Sequence, residues 1–256
     1  MIPFFRKIRK KMANDNKPIK YLRYAIGEIM LVVIGILLAL QINQWNQNRI
    51  NHNTEKEYYQ RFLDDVFLEE LIINQQIVAT KERLLSSSKL LSLLQRKNSG
   101  LKQIANAIRN SVARADFTIK PTKHTYEDIK SSGNLKLIKD YELKNKLDRY
   151  YSNLEGLMNN VNINAARLAL RMLNKDDLIG TGFANTAIFQ NGIDSTIVDI
   201  KKLKKRVFLT QENSIKLMND AIFYAGLNSR NLEHLKVLMK EITEMKRLLE
   251  IKCNTD

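Results

Sequence analysis

Turn-forming residues are scarce in this chain, with nine glycines and three prolines among 256 residues. A β-sandwich or barrel needs a turn signal after every short strand, so an all-β fold is excluded. Leu, Ile, Lys and Asn dominate instead, and long stretches carry no helix breaker, which points to a mostly helical protein. The one cysteine, Cys253, excludes an intramolecular disulfide and leaves both a reducing compartment and the periplasm open. Motifs are missing too. There is no G-x-S-x-G elbow, no P-loop and no H-E-x-x-H, and the Gly180–Gly182 pair lacks the third glycine and the strand of a dinucleotide site.

Charge of one sign is abundant, but it is unevenly placed. The net charge is +15, and residues 1–24 hold eight Lys or Arg against Asp15, a local +7. The excess beyond residue 43 is mild for its length and suits anionic surfaces in general. It is weak support for nucleic acid.

Directly after the basic segment comes the longest apolar run. Ile29 to Leu40 contains no polar side chain, and Tyr24 and Trp45 bracket it 21 residues apart. At about 1.5 Å per residue that separation is roughly 31 Å, the thickness of a bilayer core, with an aromatic at each interface. Glu28 lies about one turn inside, within reach of headgroup water. The segment reads as a transmembrane helix over 25–42. Cleavage as a signal peptide is disfavoured, because "ALQ" at Ala39–Gln41 lacks the small final residue of a processing site. Eight Lys or Arg precede the run in residues 1–24 and three (Arg49, Lys56, Arg61) follow in residues 43–66. The positive-inside rule therefore predicts a cytoplasmic tail, 1–24, and an extracytoplasmic domain, 43–256.

Beyond Trp45, apolar residues recur at helical spacing and predict a helix continuing to about Lys97, ended by Asn98–Gly100 with glycine as the C-terminal cap. Shorter helices are predicted at Leu101–Ala115 and from Thr125, with Asp128 completing a capping box, up to Gly133. Asp116–Lys123 is a linker ahead of it. Another helix covers Asp140–Leu173, a loop Asp176–Asp194, and two helices Ser195–Arg206 and Gln211–Lys252. In the last, Leu235, Leu238, Ile242, Met245 and Leu249 alternate three and four apart. Such a seam packs within the chain or forms an intermolecular coiled coil.

The stretch "FFRKIRKKMANDNKPIKYLRYAIGEIMLVVIGILLALQINQWNQNR" closely resembles the start of an uncharacterised family of single-pass membrane proteins from Bacteroidota. "TYEDIKSSGNLKLIKDYELKNKLDRYY" (Thr125–Tyr151) is similar to that family's central motif, and the resemblance runs over essentially the whole chain. It implies an inner-membrane anchor and a helical periplasmic domain. It implies no activity, since the family is a domain of unknown function.

Candidate chemistry is thin. His52, His124 and His234 are far apart, and His124 with Asp128 offers a metal only two ligands. The acidic pairs Asp64–Asp65, Glu69–Glu70 and Asp176–Asp177 diverge by about 100° on a helix and read as solvated faces. "KKLKKR" (Lys201–Arg206) reads as a solvated face or a headgroup contact. No catalytic, metal or cofactor residues are assigned. In the central motif, Ser131 or Ser132 with His124 as base is the catalytic alternative to a structural joint. The joint reading gives Gly133 a positive φ and places Tyr126, Ile129, Leu135 and Ile138 as core contacts around it. Within the span, Glu28, Gly35 and Ala39 fall within about 40° of one another, a stripe suited to pairing with another helix.

The expected architecture is all-α, an N-terminal transmembrane helix continuing into an elongated extracytoplasmic helical bundle. The expected role is a non-enzymatic, inner-membrane interaction or scaffold protein, with an extracytoplasmic ligand-sensing bundle as the alternative. Its expected partners are the lipid bilayer and either another protein or a second copy; nucleic acid is not expected.

Overall fold

A computed structural model describes residues 18–96, 99–113, 115, 117–173, 192–194, 196–199 and 211–254. All regular structure among them is helical. The elements are α1 (Pro18–Leu94), α2 (Leu101–Ser111), α3 (His124–Ser131), a 3₁₀ turn (Asn134–Leu137), α4 (Tyr141–Leu173) and α5 (Gln211–Asn254). The chain divides into two compact units, Met1–Glu57 and Tyr58–Asp256.

In the first unit the described residues belong to one long helix. Proline at its first position has the fixed φ a helix start needs and gives up no hydrogen bond. Every residue from 29 to 50 is exposed, Leu31 at 70% and Trp45 at 65% included. An 18-residue window here is apolar enough to cross a membrane, and none of it is buried. The polar stretch after Trp45 does not interrupt the helix.

The second unit is a bundle with two apolar clusters. In the larger, Phe62, Val66 and Ile73 of α1 meet Leu147, Leu154 and Met158 of α4 and the α5 seam. All five seam residues, Leu235, Leu238, Ile242, Met245 and Leu249, are 4% exposed or less. Their packing is therefore within the chain. Burial of each stabilises by about 1.5–3 kcal/mol. The smaller cluster joins Leu90, Ile104, Ile108, Leu168, Leu217 and Tyr224.

Several helix ends differ from the sequence expectation. Helix α1 stops at Leu94, where Arg96 N–H reaches back only to Leu93 O (3.3 Å) and Ser99 Oγ donates to the same carbonyl (2.5 Å). A serine closes the helix end. Gly100 instead precedes α2 with φ −69° and ψ 131°, an ordinary extended conformation. Helix α2 ends at Ser111 rather than Ala115. Helix α3 starts at His124, and the expected Thr125–Asp128 capping box is absent. Both residues are drawn into tertiary contacts described below. Helix α4 opens as expected, with Asp140 Oδ1 accepting from Leu143 N–H (2.9 Å). Lys252 also reaches Asp140 (2.7 Å), and with that amide holds its carboxyl below the usual range. The helix expected at Ser195–Arg206 is not seen in its described part. Residues 196–199 form a turn in which Asp194 accepts from Thr196 N–H (2.9 Å) and Oγ1 (2.6 Å). Position 195 and 200–206, the basic run included, lie outside the described residues, as does most of the expected 176–194 loop with Asp176–Asp177.

Candidate functional site

On α1, the polar residues Tyr58, Arg61, Asp65 and Glu69 recur at intervals of three, four and four. They therefore share the face that also carries Phe62, Val66 and Ile73. That face meets the central motif. Asp65 Oδ2 accepts from Thr125 N–H (3.0 Å), which satisfies one of the orphan donors at the start of α3. Glu69 Oε1 accepts from Thr122 N–H just before it. Arg61 pairs with Asp128 (2.7 Å), and Tyr58 Oη accepts from Asn134 Nδ2 (3.0 Å) on the far side of the glycine. Two carboxylates of a neighbouring helix thus do what a local capping box was expected to do.

This overturns the reading of two acidic pairs as solvated faces. Asp65 and Glu69 are 8% and 0% exposed. Their neighbours remain near the surface: Asp64 accepts from Gln60 (3.3 Å) and Glu70 pairs with Lys246 (2.6 Å). Neighbouring residues diverge by about 100°, so one member of each pair points into the bundle when the other does not. Burial pushes the Glu69 carboxyl up to about 7; the Thr122 amide and side chain oppose the shift and the Asp65 charge adds to it. Burial also raises Tyr150 and Tyr151, packed edge-on at 5.1 Å.

Gly133 has φ 70° and ψ 13°, between α3 and the 3₁₀ turn. Ile129 and Ile138 are buried, and Tyr126 and Leu135 pack against the same cluster. Tyr126 stacks on Tyr151 (4.5 Å, 24°) and donates to Asp148. An added Cβ at Gly133 meets nothing within 4 Å, so a side chain there is penalised by the backbone alone. Gly133→Val is expected to lower stability by about 1–2 kcal/mol or more, because a β-branched residue resists the left-handed region. Gly133→Asn should lose less. Thermal melts of the detergent-solubilised protein check this, with Ser131→Ala and Ser132→Ala expected to stay close to the parent. Ser131 Oγ donates to the Asp128 carbonyl (3.1 Å), and Ser132 Oγ lies 3.5 Å from Tyr58 Oη, so both hydroxyls belong to the joint's own bonding.

Beside the joint is an open depression of about 740 Å³, lined by Lys123, Tyr126, Lys130, Asp148 and Glu155 among others. Lys123 pairs with Glu127 (3.4 Å) and Glu155 (3.6 Å), Lys130 lies 4.8 Å over the Tyr126 ring, and Asp148 accepts from the Tyr126 hydroxyl. No group of three or more metal-capable side chains occurs among the described residues.

A family profile matches residues 28–166, more than half of the chain. Its description is a family of unknown function, DUF6090. The chain belongs to this family. The DUF6090 match takes in most of the exposed apolar segment, the polar face of α1 and the joint, and stops within α4. It is shorter than the whole-chain resemblance read from the sequence, and it leaves out the first 27 residues. No curated protein and no solved structure matches the chain.

The other sequence candidates lie in the first unit. Tyr24 is half-buried, and Trp45 is exposed with the Arg49 guanidinium over its ring (5.5 Å). Gly35 and Ala39 are exposed on the helix, and an added Cβ at Gly35 meets nothing. Glu28 is half-buried.

Sequence reasoning missed a second set of polar residues altogether. Arg83 is 4% exposed, and its partners among the described residues are neutral: Asn228 Oδ1 (3.1 Å), Thr80 Oγ1 (2.7 Å) and the Ala113 carbonyl (3.3 Å). Burial lowers its pKa. Asn228 also donates to the Ser111 carbonyl (2.9 Å). Asn164 donates to Asn231 (2.9 Å), and Asn162 clamps the Ile119 backbone with bonds of 3.0 and 2.8 Å. A signal for part of this was present. Asn228 and Asn231 continue the three-and-four spacing of the α5 seam in the N-terminal direction, where a polar residue conceals the pattern.

Proposed function

We propose that this DUF6090 protein is a single-pass inner-membrane protein of a Bacteroidota cell that works by binding rather than catalysis, as a scaffold or accessory subunit of an envelope assembly. The observation that carries this reading is the apolar stretch of α1, wholly exposed in the chain by itself. Exposed side chains such as Ile29, Leu31 and Ile36 have no stable place in water, and a bilayer is the environment that such a segment fits. The Lys/Arg asymmetry orients it with the tail inside and the helical domain in the periplasm. Against catalysis stands the use already made of the reactive groups. The carboxylates and hydroxyls of the central motif hold α3 against α1, as the Arg61–Asp128 and Asp65–Thr125 contacts illustrate.

The alternative, a sensing bundle, would bind its ligand in the depression beside Tyr126. The mutual pairing of Lys123, Glu127 and Glu155 there favours the scaffold reading.

Alkaline phosphatase fused after Asp256 is expected to be active and a green fluorescent protein fusion dark. The opposite pattern would discard both the orientation and the periplasmic domain. Purification in mild detergent is expected to bring down a stoichiometric protein complex, whereas a retained small molecule would favour the sensor.

A further inference from the structure

In the second unit, α1 is apolar on two sides. Besides its core face it carries Phe67, Leu71, Val78 and Leu85, exposed at 50, 51, 57 and 58%, with Leu68 alongside at 52% and the Lys246 ammonium of α5 over one face of the Phe67 ring (4.3 Å). The intervals of four, seven and seven place the four within about 40° of one another. By the same arithmetic Phe62, Val66 and Ile73 lie about 100–180° round the helix from them. A helix that buries one stripe in its own bundle leaves this second apolar row uncovered in the single chain.

We propose that this row is the seam along which two copies of the chain pair. Three features favour a second copy over another occupant. A straight ridge at heptad intervals is complementary to itself, as a two-fold interface requires. Asn74 is exposed within the row between Leu71 and Val78, and Lys81 between Val78 and Leu85; a polar residue inside such a seam meets its own counterpart and fixes the register. The size also fits. The five side chains present on the order of 500 Å², at the upper end of what a monomer leaves uncovered. Two such faces bury about 1,000 Å² in total, where specific interfaces begin. An interface this small needs a raised local concentration, and confinement to one membrane supplies it. In that respect the pairing rests on the anchored reading above.

The test is cysteine crosslinking of the full chain in native membranes, in a Cys253→Ser background. Cysteine at Leu71, Val78 or Leu85 should form inter-chain disulfides at least about three times more efficiently than cysteine at Asn160, an exposed residue of α4. Leu71→Glu with Val78→Glu should abolish crosslinking through a Leu85 cysteine and leave the melting temperature of the solubilised protein unchanged. Equal yields at all four positions, or crosslinking that survives the two glutamates, would overturn the seam. Carbonate extraction reports on the anchor separately. A chain released by carbonate with position-specific crosslinks would discard the anchor and keep the pairing. A retained chain without them would do the reverse.

Discussion

Asn228→Leu is expected to destabilise the bundle by about 3 kcal/mol or more, a large share of a domain's total stability. The substitution keeps the branching and heavy-atom count of the side chain and adds apolar surface, so its shape alone would forecast only a modest change. The loss comes from Arg83. Its Nε–H would lose its acceptor 3.1 Å away while the guanidinium stays buried, and the Ser111 carbonyl would lose the Asn228 amide. Leaving one side of a buried polar set unpaired costs the full desolvation of the groups that remain. Arg83→Met in the same background should recover part of the loss, because it removes the charge that Asn228 was satisfying. The two substitutions should therefore be strongly non-additive in chemical denaturation. Simple additivity would mean that Arg83 finds water or another acceptor, and that the layer is not a unit.

The second large effect is on pH dependence, through Glu69. A glutamate in the unfolded chain titrates near 4.5, and in the fold this one titrates at about 7. Below 4.5 the carboxyl is neutral in both states and its burial carries no charge penalty. Between 4.5 and 7 the unfolded chain gives up the proton more readily, so this group makes stability fall as pH rises. Above 7 the loss is complete, about 3 kcal/mol for a shift of this size. Glu69→Gln keeps an acceptor for the Thr122 amide and removes the titration. The variant should match the parent at pH 4, exceed it by up to about 3 kcal/mol at pH 8, and show a flatter profile between. Melts of the solubilised protein from pH 4 to 8 read this directly. Parallel profiles for the two proteins would show that Glu69 does not carry the dependence.

What the sequence by itself determined is whatever depends on neighbours along the chain. The helical class follows from the scarcity of glycine and proline and from spacing, and the apolar segment from Ile29 to Leu40 is visible without any structure. The αL glycine at Gly133 was legible because one residue type fits a positive φ at little cost, and the Leu235–Leu249 seam because its period is local. The roles of Asp65, Glu69 and Arg83 were decided only by tertiary structure. A carboxylate on a helix reads as solvated until another element is known to bring it an unpaired amide, here from residues 122 and 125, more than fifty positions on. Thr125 and Asp128 looked like a local cap for the same reason; in the fold the helix starts at His124, so Thr125 lies inside it, and its amide is taken by Asp65 while Asp128 is taken by Arg61. Burial of polar groups is set by which helices meet. Their meeting is a property of the fold that spacing along one strand of sequence does not encode.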